Sequence, residues 1–187
     1  MSTATRSTTE RGTNVWQIDP THSQAEFAVR HLMIATVKGR FRDIAGTVVV
    51  EDGDPTTAQV DVTIDVASID TGVGQRDQHL RSADFFDTDR FPKLTFRSTG
   101  VERVGEDHYE VTGDLTIRDV TRPVTLDAHG LGSVRDPWGK ERAGYTATAR
   151  INRKDFGLSW NQALETGGVV VGDEVKITLE VELVLDD

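Results

Sequence analysis

The sequence predicts an all-β protein built from one strongly curled antiparallel sheet. Three observations carry this reading. Apolar and polar residues alternate with a period of two along most of the chain, the pattern of strands with one wet face. A single wet face implies antiparallel pairing, because strands of a parallel sheet are apolar on both sides. The connections carry turn chemistry, as in "EDGDPTT" and "VGED". Eight or nine such strands with one apolar side must close on themselves or cover another sheet, so a barrel and a sandwich both satisfy the pattern.

The elements follow in order. "VWQID" begins the sheet. "QAEFAVRH" aligns Ala25, Phe27, Val29 and His31 on one face. Leu32, Met33 and Ile34 then break the alternation, which suits a helical turn or two near "RHLMIATV". "IAGTVVVED" is a strand whose inward face the run Val48–Val50 leaves open. "QVDVTIDV" sets Val60, Val62, Ile64 and Val66 against Asp61, Thr63 and Asp65. "VGQRDQHLRSADFF", residues 73–86, is the one longer stretch that reads as helix, with thin apolar content. "KLTFRS" pairs Leu94 with Phe96, and "HYEVTGDLTI" aligns Tyr109, Val111, Gly113, Leu115 and Ile117. "PVTLDAHG" aligns Val124, Leu126, Ala128 and Gly130, and "GYTATARIN" aligns Tyr145, Ala147, Ala149 and Ile151. "VKITLEVEL" closes the series with Val175, Ile177, Leu179, Val181 and Leu183.

Composition bounds the function. The 187 residues suit one domain: a Ser/Thr-rich, disordered tail over residues 1–14, then a single unit over 15–187. The absence of cysteine removes disulfides, thiolate metal sites and cysteine nucleophiles. A net charge of −10 disfavours nucleic acid and anionic membrane surfaces as partners. "MSTATRSTTERGTN" has no apolar run of a secretory signal, so a cytoplasmic setting is expected.

Two features point to internal space. Ala25, Gly113, Ala128, Gly130, Ala147 and Ala149 fall in phase with the large inward residues. A small barrel fills its lumen when such positions carry Val, Ile or Leu, so small ones leave volume to be occupied. The second feature is "SADFFDTDRFPKLTF", where Phe85, Phe86 and Phe91 sit among aspartates and Arg90. It is too charged for a core strand and too aromatic for an ordinary loop. Folded across the barrel mouth, its rings either pack as a lid or form the aromatic wall of an apolar site.

Motifs of catalysis are thin. "DPTHS" supplies Asp19, His22 and Ser23, best read as turn and hydrogen-bonding residues ahead of a strand. No His-x-His or His-x-x-x-His pair marks a metal site, no Gly-x-Ser-x-Gly marks a nucleophile elbow, and "ETGGVVVGD" lacks the ending of a phosphate loop.

Six segments, in order, resemble the YceI-like family of polyisoprenoid-binding, lipocalin-like proteins: "DPTHSQAEFAVRHL", "VKGRF", "QHLRSADFFD", "FPKLTFRST", "VTGDLTIRDVTRPVTL" and "INRKDFGL". The resemblance runs from about Trp16 to Leu185. It implies an eight-stranded antiparallel lipocalin-like barrel with a short helix near its mouth. It also implies a long apolar pocket for an isoprenoid chain, such as a quinone tail or a polyprenyl phosphate; with catalytic and metal motifs missing, no cofactor, no metal and no catalysis are expected. Relatives of this type are commonly homodimers and many carry a secretory signal, which this N-terminus departs from. The candidate ligand-binding set is Phe27, Val29, His31, Leu32, Met33, Phe41, Phe85, Phe86, Leu94, Phe96, Tyr109, Leu115 and Trp160. Arg76, Arg81 and Arg97 are the candidates for a phosphate head group, which the guanidinium fork suits. Two other readings stand beside it: an enzyme for an apolar substrate with His31 or His22 as base, and a stress-linked interaction protein whose pocket is vestigial.

Overall fold

A computed structural model describes residues 12–186. Eleven strand segments form one sheet: β1 (Thr13–Ile18), β2 (Gln24–His31), β3 (Ala35–Phe41), β4 (Ile44–Glu51), β5 (Gln59–Asp65), β6 (Ile69–Asp70), β7 (Lys93–Gly105), β8 (His108–Ile117), β9 (Val120–Arg135), β10 (Glu141–Asn152) and β11 (Val171–Leu185). All pairings are antiparallel, and β1 meets β11 to close the ring. Three pairs of segments act as single bent strands: β1 with β2 along β11, β3 with β4, and β5 with β6. The result is an eight-stranded up-and-down barrel, the closed solution of the two that the alternation allows.

The bends have local causes. Between β1 and β2, Pro20 lacks a ladder donor, and the Asp19 carboxylate accepts from the Thr21 backbone and hydroxyl instead. The bend stays tied to β11, because Asp19 N–H donates to the Glu182 carbonyl and Glu182 N–H donates to Ser23 Oγ. Between β3 and β4, the backbone N–H groups of Arg42 and Asp43 both donate to Ser68 Oγ. Ser68 sits in the short 3₁₀ turn, Val66–Ser68, that bends β5 into β6.

Three expectations are corrected here. The helix is α1, Gly74–Arg81, not 73–86. It stops at Ser82, and a chain of turns follows in which Phe86 N–H donates to the Leu80 carbonyl and Thr88 N–H to that of Arg81. A stretch with so little apolar surface has no face to bury and nothing to extend it. The helical turn expected near Leu32 is a three-residue hairpin loop between paired His31 and Ala35: φ is 51° at Leu32 and 64° at Met33, and Ile34 N–H donates to the His31 carbonyl. β1 begins at Thr13, so Thr13 and Asn14 belong to the sheet; the rest of the tail, residues 1–11, lies outside the described residues.

The most deeply buried apolar side chains lie at the α1 end. Ile44, Val66, Ile69 and Phe156 are buried there, and Leu80 and Phe86 pack against the same cluster. Among the described residues, no helix is long and apolar enough to cross a membrane.

Candidate ligand-binding cavity

The alternation that builds the strands also lines the space they enclose. A cavity of about 560 Å³ runs through the barrel, from Asn14, Gly53 and Pro55 at one end to Arg76, His79 and Trp160 at the other. It falls inside the ~300–1,000 Å³ typical of small-molecule sites, and its wall is overwhelmingly apolar.

Most of the residues singled out from the sequence meet on this wall. Phe27, Val29 and His31 face it from β2, Phe41 from β3, Leu94 and Phe96 from β7, and Tyr109 and Leu115 from β8. Phe85 and Phe86 reach it from the turns after α1, and Trp160 from the loop after β10. Leu32 and Met33 do not: the positive-φ turn carries them past the rim into solvent, where Met33 is 57% exposed.

The phenylalanine segment divides its rings. Phe86 meets Phe41 edge-on with centroids 5.8 Å apart, and Phe41 lies 5.7 Å from Phe27. Phe85 packs 5.4 Å from Trp160, and His79 sits edge-on to both. These five aromatic groups and His79 form a belt at the α1 mouth, with packing that edge-to-face contact favours. Phe91 stays outside the cavity wall, flanked by the guanidinium groups of Arg90 and Arg118 at 5.0 and 5.6 Å.

Of the three arginines proposed for a head group, only Arg76 lines the cavity. Its Nε and Nη2 donate to the hydroxyl and carbonyl of Thr71, at 2.7 and 2.9 Å. Buried Asp77 holds Thr71 from the other side, accepting from its N–H and hydroxyl. That clamp fixes the guanidinium and leaves Nη1 without a hydrogen bond among the described residues. His31 on the same wall likewise has no side-chain partner among them. Arg81 is spent on the carbonyls of Ala67 and Ile69, where it ties the helix to the β5–β6 bend. Arg97 lies on the outer face of β7, paired with Asp61 directly across the ladder at 3.2 Å. Position in the strand period decides this: residue 97 is out of phase with lumen-facing 94 and 96.

Several wall residues escaped the sequence reading. Trp16 faces the cavity, as do Val48, Val50 and Tyr145. The ambiguous parity of β4 is settled by register, since Val48 pairs with lumen-facing Val60. Burial raises the pKa of the Tyr145 hydroxyl, with Tyr109 and Asp107 adding to the effect, so it stays a neutral polar group on the wall. Of the six small in-phase residues, Gly113, Gly130 and Ala149 do not line the cavity. Gly113 leaves no room for a guest, because a Cβ there would stand 2.5 Å from the Phe96 ring. The Ala25, Ala128 and Ala147 positions do open on the cavity.

Arg153 is the least legible residue of the site. It is 3% exposed, and its guanidinium donates to the carbonyls of Leu158, Trp160, Val171 and Gly172. It thereby holds the loop that delivers Trp160 to the belt. Desolvation lowers its pKa.

His22 stands elsewhere. Its Nδ1 lies 2.9 Å from Asp19 at the β1–β2 bend, and its side chain is largely exposed and off the cavity wall. Arg142 binds Asp19 at 2.8 Å and also reaches Glu182 and Asp136, so this network pins the bend.

Fold and cavity together define a lipocalin-like protein: a closed antiparallel barrel around an apolar lumen. The chain belongs to the family of the YceI-like domain, whose model matches residues 16–183. Protein YceI of Escherichia coli is 44% identical over 137 residues, which is 73% of this chain and 71% of that one. The crystal structure of the Campylobacter jejuni YCEI protein superposes with a TM-score of 0.73 at 31% identity, covering 84% of this chain and 90% of that one. A polyisoprenoid binding domain from Saccharophagus degradans superposes with a TM-score of 0.67, covering 91% and 98% of the two chains, and at 18% identity it attests the fold.

Proposed function

We propose that this protein binds or carries an apolar isoprenoid-type lipid in its lumen, without catalysis. The observation that carries the reading is the cavity itself, about 560 Å³ of apolar wall running through the barrel with polar groups concentrated at the α1 mouth. The name of the Saccharophagus degradans domain supports the same reading. The energetics suffice. Ten buried methylenes contribute about 8 kcal/mol, against association costs of at least ~4 kcal/mol. Such a site reads chain length and branching by shape, and needs few polar contacts.

The mouth distinguishes two ligand classes. A polyprenyl phosphate would set its phosphate against Arg76 Nη1 and His31, whereas a quinone tail needs neither. The test is organic extraction and mass spectrometry of the purified protein, followed by titration with polyprenyl phosphates and long-tailed quinones. Narrowing the lumen with Ala147→Phe is expected to abolish binding while leaving the fold intact. Arg76→Ala is expected to weaken polyprenyl phosphate at least tenfold, the ~1.4 kcal/mol or more of a charge-assisted hydrogen bond, and to leave quinones unchanged. A preparation free of lipid that also ignores both classes overturns the proposal.

A further inference from the structure

The outer surface of the barrel carries a second arrangement of donors, independent of the cavity. His108 opens β8 and pairs directly across the ladder with His129 on β9. Their rings stack with centroids 4.1 Å apart and planes 16° apart. Asp127, two residues before His129, shares its face of the strand. The Asp127 Oδ1 atom meets His108 Nε2 and lies 3.6 Å from His129 Nε2. One donor atom from each of the three residues falls within 4.8 Å of the others.

Asp19, His22 and Glu182 offer the same kinds of donor atom at similar spacing. There the cation's place is already taken, since Arg142 binds both carboxylates. At Asp127, the only ion pairs among the described residues are those with the two histidines. Glu110 pairs across from Asp127 and adds negative charge to that face.

We propose that His108, Asp127 and His129 form a binding site for a divalent first-row transition metal ion, zinc above all. Two imidazole nitrogens and one carboxylate oxygen suit zinc, and leave a tetrahedral position for water. Magnesium and calcium prefer all-oxygen sites. Metal–donor distances of about 2.0–2.2 Å place neighbouring tetrahedral donors roughly 3.3 Å apart, so small rotamer changes close this site. The backbone need not move, because the ladder already holds the two strands in register. The ion takes the place of the hydrogen bond between His108 and Asp127, and clips the start of β8 to β9. A spacing search does not find such a site, because its histidines are 21 residues apart and meet only through cross-strand pairing.

The test is titration of the untagged, metal-free full chain with zinc chloride in competition with a chromophoric chelator. One equivalent is expected to bind, and neither magnesium nor calcium to displace it. His108→Ala and His129→Ala are each expected to weaken binding at least tenfold, with circular dichroism showing an unchanged fold. His22→Ala, at the Arg142-occupied cluster, is expected to bind zinc as the parent does. The proposal is overturned if the parent binds no zinc, if the His108→Ala/His129→Ala double variant binds as well as the parent, or if His22→Ala abolishes binding. None of the substituted residues lines the cavity, so lipid binding is expected to be unchanged and failure here leaves the cavity reading standing.

Discussion

Gly113 and Arg153 show how single residues shape the lumen from opposite directions. Gly113 is a lumen-facing position kept bare so that the Phe96 ring can lie over it; a Cβ would also come within 2.5 Å of the Arg97 carbonyl. Gly113→Ala is therefore expected to lower stability by about 1–3 kcal/mol, the usual cost of overpacking. Chemical denaturation measures it, and Gly100→Ala is the control, because a Cβ at Gly100 meets nothing within 4 Å. Arg153 is instead a charged side chain drawn inside, its hydrogen bonds made to carbonyls of its own chain. At this scale the sequence is half legible. Period-two phase places Phe27, Val29, His31 and Tyr109 on the wall, and the same rule, applied strictly, sends Arg97 outward. Phase says nothing of Arg76, Arg81 or Arg153, whose partners are backbone oxygens, and for Arg76 also the Thr71 hydroxyl, brought near by turns. Nor does it show that a glycine in phase is filled by a neighbour's ring rather than by a guest.

Among the elements, the strands are plain in the sequence and their bends are not. Alternation survives a bend, so β1–β2 reads as strand on either side of Pro20 while the network that fixes the angle is assembled from residues up to 163 positions apart, as Asp19 and Glu182 are. The Asp19 carboxyl is held well below the usual carboxylate range, chiefly by the Thr21 hydroxyl and His22, with Arg142 assisting. A carboxylate whose folded pKa is depressed stabilises the protein above its unfolded value near 3.9, and that contribution is lost as pH falls through and below it. His22, whose pKa the same carboxylate raises, stays protonated throughout that acid range and adds no slope. Asp19→Asn is thus expected to be less stable than the parent at neutral pH, with the gap narrowing between about pH 5 and pH 2. Melting temperatures across that range check it; a constant gap would show that Asp19 acts through shape alone. The β2–β3 hairpin is illegible for a different reason. Turns with positive φ at both central residues favour Asn and Gly, and Leu32 and Met33 occupy them here. Local preference yields to strand register, so the sequence points to the wrong turn.

At the level of the whole molecule, strand number and a single apolar face require the sheet either to close or to cover another, so the all-β class is legible in the pattern alone. What the pattern leaves undecided, barrel against sandwich, is decided by the pairing of β1 with β11. That pairing has one more outcome. Trp16 lies opposite Leu185, and Asp186 N–H donates to the Val15 carbonyl, so the two extremities of the described chain finish side by side on one rim. A ring of staves has no intrinsic first member. Joining residue 186 to residue 12 through a short linker, and cutting instead at the Asp136–Gly139 turn where Trp138 is 83% exposed, is expected to give a permuted protein with the same near-ultraviolet signature and the same guest. A permutant that folds but loses the guest would mean that the order of threading, and not only the finished hoop, builds the tunnel.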